Sequence, residues 1–265
     1  FEFPIEIPSQ IANHVLAACI PDRFQELGPV ARQIGRKGRL DRCPPVLFGE
    51  WLTEVGCTLH VCKPYAGERL PDVTAYDGLL VLGGAQHAED DTVAWFGPLK
   101  EQLRAARAAG TPTLGICLGH QLIAVALGGR VERNPQGKQL GLLDVGWTAA
   151  ATYDDLVAPV ATPRRGVHWN DDVVTRLPDD AMLLARAPQG EVQAARFGPR
   201  MWGVQLHPEV DAATLRPWAA DDEHAHLAAG IDQETLLRSI ALASEELTLA
   251  WRPLAQSFAR LLGTS

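Results

Sequence analysis

A cysteine between two glycines, Gly115-Ile116-Cys117-Leu118-Gly119, stands where a short apolar run from Thr113 meets a nearly all-apolar segment, Leu122 to Leu127. The pattern predicts a strand, a sharp turn and a buried helix, with the thiol at the turn. Glycines beside such a turn let neighbouring backbone pass close by, as in the nucleophile elbow. A cysteine at a helix N-terminus meets free N–H groups and the positive end of the dipole, and both favour thiolate over thiol. The motif alone fits a small buried hydrophobe equally well. A thiol nucleophile also needs a base, and the base needs an orienting group. His207 and Glu209 supply both types, because the apolar run Met201 to Leu206 leads directly into His207-Pro208-Glu209. The other chemistry-bearing residues read as structural. His120 lines the helix, and Cys57 and Cys62 are core or surface thiols. His224 and His226, in the acidic run Asp221 to His226, lack a third ligand pattern and read as a solvated loop. No metal and no cofactor is expected.

The elements around these residues alternate. His14 to Ile20 predicts a first buried strand, and Val46 to Val55 a helix with Leu47, Phe48, Trp51, Leu52 and Val55 on one face. Thr58 to Cys62 and Gly78 to Leu82 predict strands, the latter ending at Gly83-Gly84. A helix carrying Phe96, Leu99, Leu103 and Ala106 follows, and Pro112 opens the strand that ends at Cys117. The expected fold is α/β: an open, mostly parallel sheet with helices on both faces, whose sites form beyond the carboxyl ends of the strands. From Val131 to Val174 short apolar runs (Leu142 to Val145, Ala149 to Thr152, Val167 to Trp169) are broken by Gly, Pro and Asp and predict hairpins and loops. Met182 to Ala187, Val192 to Phe197 and Met201 to Leu206 predict three strands, with Gly198-Pro199 as the turn between the last two. From about Gln233 the chain reads as helix. Leu236, Leu237, Ile240 and Leu247 form one stripe, and Trp251, Leu254, Phe258 and Leu261 another, with Pro253 at the start or a kink of the last helix. The stripes pack on the same chain, with a homodimer contact as the alternative. One domain over 1–265 is expected, with a core at about 13–212 and a helical extension at about 230–265.

Composition excludes several classes. Hydrophobic content of 46% and charged content of 21% are ordinary for a globular chain. A net charge of −8 argues against a nucleic-acid partner. The five cysteines match no zinc spacing and suggest a reducing, cytoplasmic compartment. No stretch of about 18 apolar residues predicts a membrane span. Phe1 to Gln10 has no basic region and does not read as a signal peptide. One local exception to the acidic balance is the connection from Pro21 to Pro45, with Arg23, Arg32, Arg36, Lys37, Arg39 and Arg42 against Asp22, Glu26 and Asp41. It reads as a solvated loop, or alternatively as a lid or docking surface.

Gly115-Ile116-Cys117-Leu118-Gly119-His120-Gln121 followed by Gly203-Val204-Gln205-Leu206-His207-Pro208-Glu209 resembles the class I (triad-type) glutamine amidotransferases. Leu82-Gly83-Gly84 resembles that family's oxyanion strand, and the likeness covers roughly 46–210. Trp51-Leu52, Lys63 to Gly67 and Tyr76-Asp77-Gly78 are in the style of stand-alone members similar to the amidotransferase domain of GMP synthase. The resemblance implies that Cys117 attacks the glutamine side-chain amide while Gly84 and Leu118 N–H groups hold the oxyanion. It further implies that His207 protonates departing ammonia and then activates water, that Glu209 orients His207, and that Gly83 and Gln121 contact substrate. A loop that in close relatives reads about His-Trp-His-Gly-Asp helps bind the glutamine amino and carboxylate groups. Here it is His168-Trp169-Asn170-Asp171-Asp172, with Trp169 and Asn170 as the substrate contacts and Asp171 adding negative charge. His168 and Trp169 read equally as core residues. Gln139 stands where relatives often carry Glu. The departures keep γ-glutamyl peptides open as an alternative substrate. A non-catalytic partner protein is the reading from another class, and the intact Cys117, His207 and Glu209 argue against it. No Gly-x-x-x-x-Gly-Lys-Ser/Thr motif is present, so ammonia would pass to a separate synthase or be released.

Overall fold

A computed structural model describes residues 16–20 and 45–262. The strands are β1 (Leu16–Ile20), β2 (Thr58–Cys62), β3 (Gly78–Val81), β4 (Thr113–Ile116), β5 (Arg130–Arg133), β6 (Gln139–Asp144), β7 (Arg165–Asn170), β8 (Asp172–Arg176), β9 (Met182–Arg186), β10 (Val192–Arg196) and β11 (Met201–Val204). The helices are α1 (Val46–Glu54), α2 (Phe96–Ala109), α3 (Leu118–Ala126), α4 (Ala212–Ala228), α5 (Gln233–Leu242) and α6 (Ser244–Leu262). The basic connection read at 21–45 lies, but for Pro45, outside the described residues, as does the start of the first predicted strand.

Seven strands form one sheet in the order β2-β1-β3-β4-β11-β10-β9. The α/β class, with helices on both faces, is as expected. The expectation of a mostly parallel sheet is corrected, because the sheet is mixed. Among the described residues only β3, β4 and β11 pair in parallel. β1 runs against both neighbours. β9, β10 and β11 are joined by short turns, which only antiparallel strands permit. The strand alternation builds a core on each face. Leu80 and Leu82 point, with Leu114 and Ile116, toward Phe48 and Leu52 of α1 and Trp251 and Phe258 of α6. Leu79 and Val81 point the other way, toward Phe96, Leu99 and Leu103 of α2 and Leu118 and Leu122 of α3. The C-terminal stripes are therefore core: Leu237, Ile240, Leu247, Trp251, Leu254 and Phe258 are all buried against the body of the chain.

Three local expectations change. Ala149 to Thr152 is not a strand but a 3₁₀ turn, Ala149–Tyr153. Of the two places read for Pro253, the start of the last helix falls away, because this proline lies inside α6. The acidic run from Asp221 is not a loop but part of α4, a 17-residue helix capped by Asp211, whose side chain accepts from the Thr214 N–H at 2.7 Å. Of its histidines, His226 is fully buried.

β3 and α3 meet at very close range. A Cβ on Gly119 would overlap the Val81 carbonyl oxygen and come 2.7 Å from its carbon. Both partners are backbone in packed elements, so neither can give way. Gly119→Ala is expected to lower stability by about 3 kcal/mol, read as an earlier urea midpoint. An unchanged midpoint would contradict this packing.

Candidate active site

Cys117 caps α3 with φ 52° and ψ −108°. It is the one non-glycine residue with positive φ among the described residues. Such a conformation costs of order 1–3 kcal/mol and persists where the surroundings over-determine it. Here its N–H donates to the Val204 carbonyl at 2.8 Å, which ties the turn to the neighbouring strand end. The side chain is 5% exposed. The Gln205 amide sits 3.6 Å from the sulfur.

His207 and Glu209 follow β11, beside Cys117 at the end of β4. Their backbone is held by two contacts. The His207 N–H donates to the Val167 carbonyl at 2.7 Å, and the Leu47 N–H donates to the Glu209 carbonyl at 3.2 Å. The His207 Nδ1–H donates to Glu209 Oε1 at 2.7 Å, with both side chains buried. That bond sets the ring's tautomer and leaves Nε2 without a hydrogen-bond partner, free for proton transfer. Burial alone would lower the His207 pKa, but the negative charge of Glu209 and then of Cys117 outweighs it, and the value is pushed up to about 10. The arrangement is an imidazolium held between a carboxylate and a sulfur. Gly83 lies flat against it: a Cβ there would come 2.9 Å from His207 Cε1 and 3.6 Å from Cys117 Cβ.

A pocket of about 350 Å³ opens over the thiol. Gly84, Gln121, Trp169 and Asn170, all expected from the sequence, line it with Cys117 and His207. Leu118 turns its side chain into the core on the α2 side. Gln121 is partly committed to the protein, donating to the Asp172 carbonyl at 3.0 Å and to Gln205 Oε1 at 3.2 Å. The two departures at 139 and 170 answer one another. They are cross-strand partners, and the Asn170 amide donates to Gln139 Oε1 at 3.2 Å. The charge added by Asp171 is covered by Arg133 at 2.6 Å and Lys138 at 3.1 Å. His168 is core: fully buried, bonded to Gln193 Oε1 at 2.5 Å, and lowered by burial to about 4. His120, also fully buried, packs against Phe197 at 5.5 Å and is lowered by burial to about 3.

Sequence reasoning missed Arg133, Lys138 and His87 on the pocket wall, and Trp218, Asp221 and Asp222 of α4. Trp218 sets its edge against His207, 5.0 Å between ring centroids. Asp222 accepts from the Trp169 indole N–H at 2.9 Å, which fastens α4 to the far wall.

A mixed sheet with helices on both faces, carrying a cysteine elbow beside a His-x-Glu strand end, defines a class of α/β proteins built around a thiol. The family model "Glutamine amidotransferase class-I" matches residues 50–223. The chain belongs to that family. It is 33% identical over 60% of its length, and 68% of the relative's, to a glutamine amidotransferase-like protein, YfeJ, of Salmonella typhimurium. It is 36% identical to a GMP synthase [glutamine-hydrolyzing] of Aeropyrum pernix, over 54% of this chain but only 26% of that one. It is 31% identical, over 54% of this chain and 58% of the other, to Gamma-glutamyl peptidase 4 of Arabidopsis thaliana. In fold it is similar to a glutamine amidotransferase from Thermotoga maritima, with a TM-score of 0.74 at 22% identity over 85% of this chain and 95% of that one. No described helix is long and apolar enough to cross a membrane.

Proposed function

We infer that the protein is a cysteine-dependent amide hydrolase acting on the side-chain amide of glutamine or of a γ-glutamyl compound. The observation that carries this reading is Cys117 at a strained turn, with a charged His207 beside it and Glu209 fixing the ring at 2.7 Å. The Cys117 sulfur attacks the γ-carbonyl carbon. The oxyanion is held by the N–H groups of Gly84, on the pocket wall, and Leu118, at the start of α3. Preorganised donors of this kind are worth about 2.7–4 kcal/mol each. His207 hands its proton to the departing nitrogen, then takes one from the water that splits the γ-glutamyl thioester. Glu209 holds the ring in the useful tautomer throughout. Gly83 keeps the nucleophile and base in contact, and Gln121, Trp169 and Asn170 shape the floor and wall for the glutamyl group.

Two relatives named γ-glutamyl peptidases support a larger leaving group as a second reading, alongside the neutral Asn170–Gln139 pair. Ammonia, where it is the product, would pass to a separate synthase; a relative at 37% identity is named as one subunit of a glutamine-hydrolyzing GMP synthase. A cytoplasmic location fits the cysteine usage. Measuring ammonia release from glutamine, and glutamate release from γ-glutamyl peptides, tests the reading; failure on every γ-glutamyl amide offered would sink it.

The His207 charge gives a pH prediction. Its folded value, about 10, is raised above the ordinary 6.5. Its contribution to stability is therefore complete below about 6.5 and is lost as pH climbs through about 10. Hydrolysis is expected to lose its proton donor over the same upper range. Rate profiles and melting curves from pH 8 upward check this; an activity loss centred near the ordinary histidine value of 6.5 would contradict it.

A further inference from the structure

Two buried glutamines form a relay that ends at the nucleophile. Gln205 follows β11 and is fully buried, and its backbone N–H donates to the Gln193 carbonyl at 2.8 Å. Its side-chain Nε2 lies 3.6 Å from the Cys117 sulfur. Gln205 is not among the residues that line the pocket over the thiol. It therefore reaches the sulfur from the protein side and leaves the pocket side open to substrate.

The direction of each amide follows from its neighbours. The Asp172 backbone carbonyl can only accept, so the Gln121 atom 3.0 Å from it is the NH2. The same NH2 lies 3.2 Å from the Gln205 amide, whose facing atom must then be the carbonyl oxygen. That leaves the Gln205 NH2 facing the sulfur. A flipped Gln205 would set NH2 against NH2 at one end and oxygen against sulfur at the other.

We propose that Gln205 is a catalytic residue whose amide N–H holds the negative charge of the Cys117 sulfur, and that Gln121 is the positioning residue that fixes this amide. The inference deepens the reading of Cys117, His207 and Glu209 as an amide hydrolase and rests on it. A thiol is a weak acceptor, whereas a hydrogen bond to an ionised acceptor is about twice as strong as a neutral one. The bond therefore favours the sulfur when it is charged. In the first half-reaction the sulfur bonds to the γ-carbon, the C–N bond breaks, and His207 gives its proton to the departing nitrogen. In the second, the water oxygen bonds to the same carbon and its proton goes to His207. The C–S bond breaks with its electron pair returning to sulfur, where the Gln205 N–H receives the charge. A sulfur without that donor is a poorer leaving group.

The test titrates the ultraviolet absorbance of the thiolate in the full chain, without substrate, as a difference from Cys117→Ala. The charged groups around the sulfur are His207, with Glu209 behind it, and across the pocket His87, Arg133, Lys138, Asp171, Asp172, Asp221 and Asp222. All are kept in the variants. Gln205→Met keeps the length of the side chain and removes the donor. The acid limb on which the thiolate signal is lost should move up by about one pH unit, the scale of one hydrogen bond to a charged group. On whichever γ-glutamyl amide the wild type hydrolyses, kcat should fall about tenfold. Gln121→Met leaves Gln205 in place but free to turn, and should move the limb the same way by less. Circular dichroism establishes that each variant is folded. A limb unmoved in folded Gln205→Met, or in Gln121→Met where the first does not fold, overturns the proposal and leaves the hydrolase reading standing. A fall in kcat with no movement of the limb does the same, because that is the mark of a structural role. A wild-type chain with no thiolate signal above Cys117→Ala and no hydrolysis of glutamine or γ-glutamyl peptides overturns both.

Discussion

Replacing Cys117 by alanine is expected to lower hydrolysis of γ-glutamyl amides by about 10⁴-fold or more, because no other group can form the thioester. The substitution removes one buried sulfur and leaves His207 bonded to Glu209, so loss of activity should not come with loss of fold. A stability measurement on two variants makes this sharper. Alanine keeps the strained φ of 52° with a Cβ in place, whereas glycine adopts that conformation freely. Cys117→Gly is therefore expected to be about 1 kcal/mol more stable than Cys117→Ala, while both are equally inactive. Chemical denaturation read by circular dichroism gives the difference. Alanine equal to or above glycine in stability would mean that the turn is not strained, and retained activity in either variant would remove Cys117 from the chemistry.

The second large effect is expected at Glu209. Glu209→Gln keeps the size of the side chain and removes the charge that, after the opposing effect of burial, does most to push His207 up to about 10. With an amide opposite Nδ1 the ring can take the wrong tautomer, a change that costs about 10⁴-fold in kcat where a comparable carboxylate orients a catalytic histidine. The alkaline limb of the rate profile should move to lower pH at the same time. A variant that lost rate with no movement of that limb would show Glu209 acting through packing alone. Since Glu209 is buried and its Oε2 accepts from no group, a partial loss of stability is also expected and must be measured beside the rates.

What could be read from the sequence was what is written locally. Cys117 sits between glycines at a strand–helix junction, and His207 and Glu209 are two apart on one strand end, so type and spacing carry their arrangement. The faces of α1, α2 and α6 were legible for the same reason, since each presents a helical stripe to one side of the sheet; Val55, read as part of the α1 stripe, is the exception, lying exposed just past the end of that helix. Pairing over long sequence distance was not. Arg133 lies opposite Asp172 in the β5–β8 ladder, and Gln139 opposite Asn170 in the β6–β7 ladder. These two nested ribbons bring Arg133, Lys138, Asp171 and Asn170 to one wall, and nothing in the local sequence reports which strand meets which. α4 was hidden differently. It carries Pro217 and an acidic run, and only Leu215, Trp218, Ala219 and His226 of its residues are buried, so its hydrophobic periodicity is faint. The antiparallel edges of the sheet were missed because alternating strand and helix segments suggest crossovers, while β9 to β11 are connected by turns.

The central claim is that Cys117 is a nucleophile activated by His207. Its most direct test is mass spectrometry of the intact chain after reaction with a glutamine-analogue electrophile, with peptide mapping of the adduct. The expected result is one adduct per chain on Cys117, absent in Cys117→Ala and formed much more slowly in His207→Asn. An adduct on Cys57 or Cys62 instead, or an equal rate with and without His207, would contradict the account.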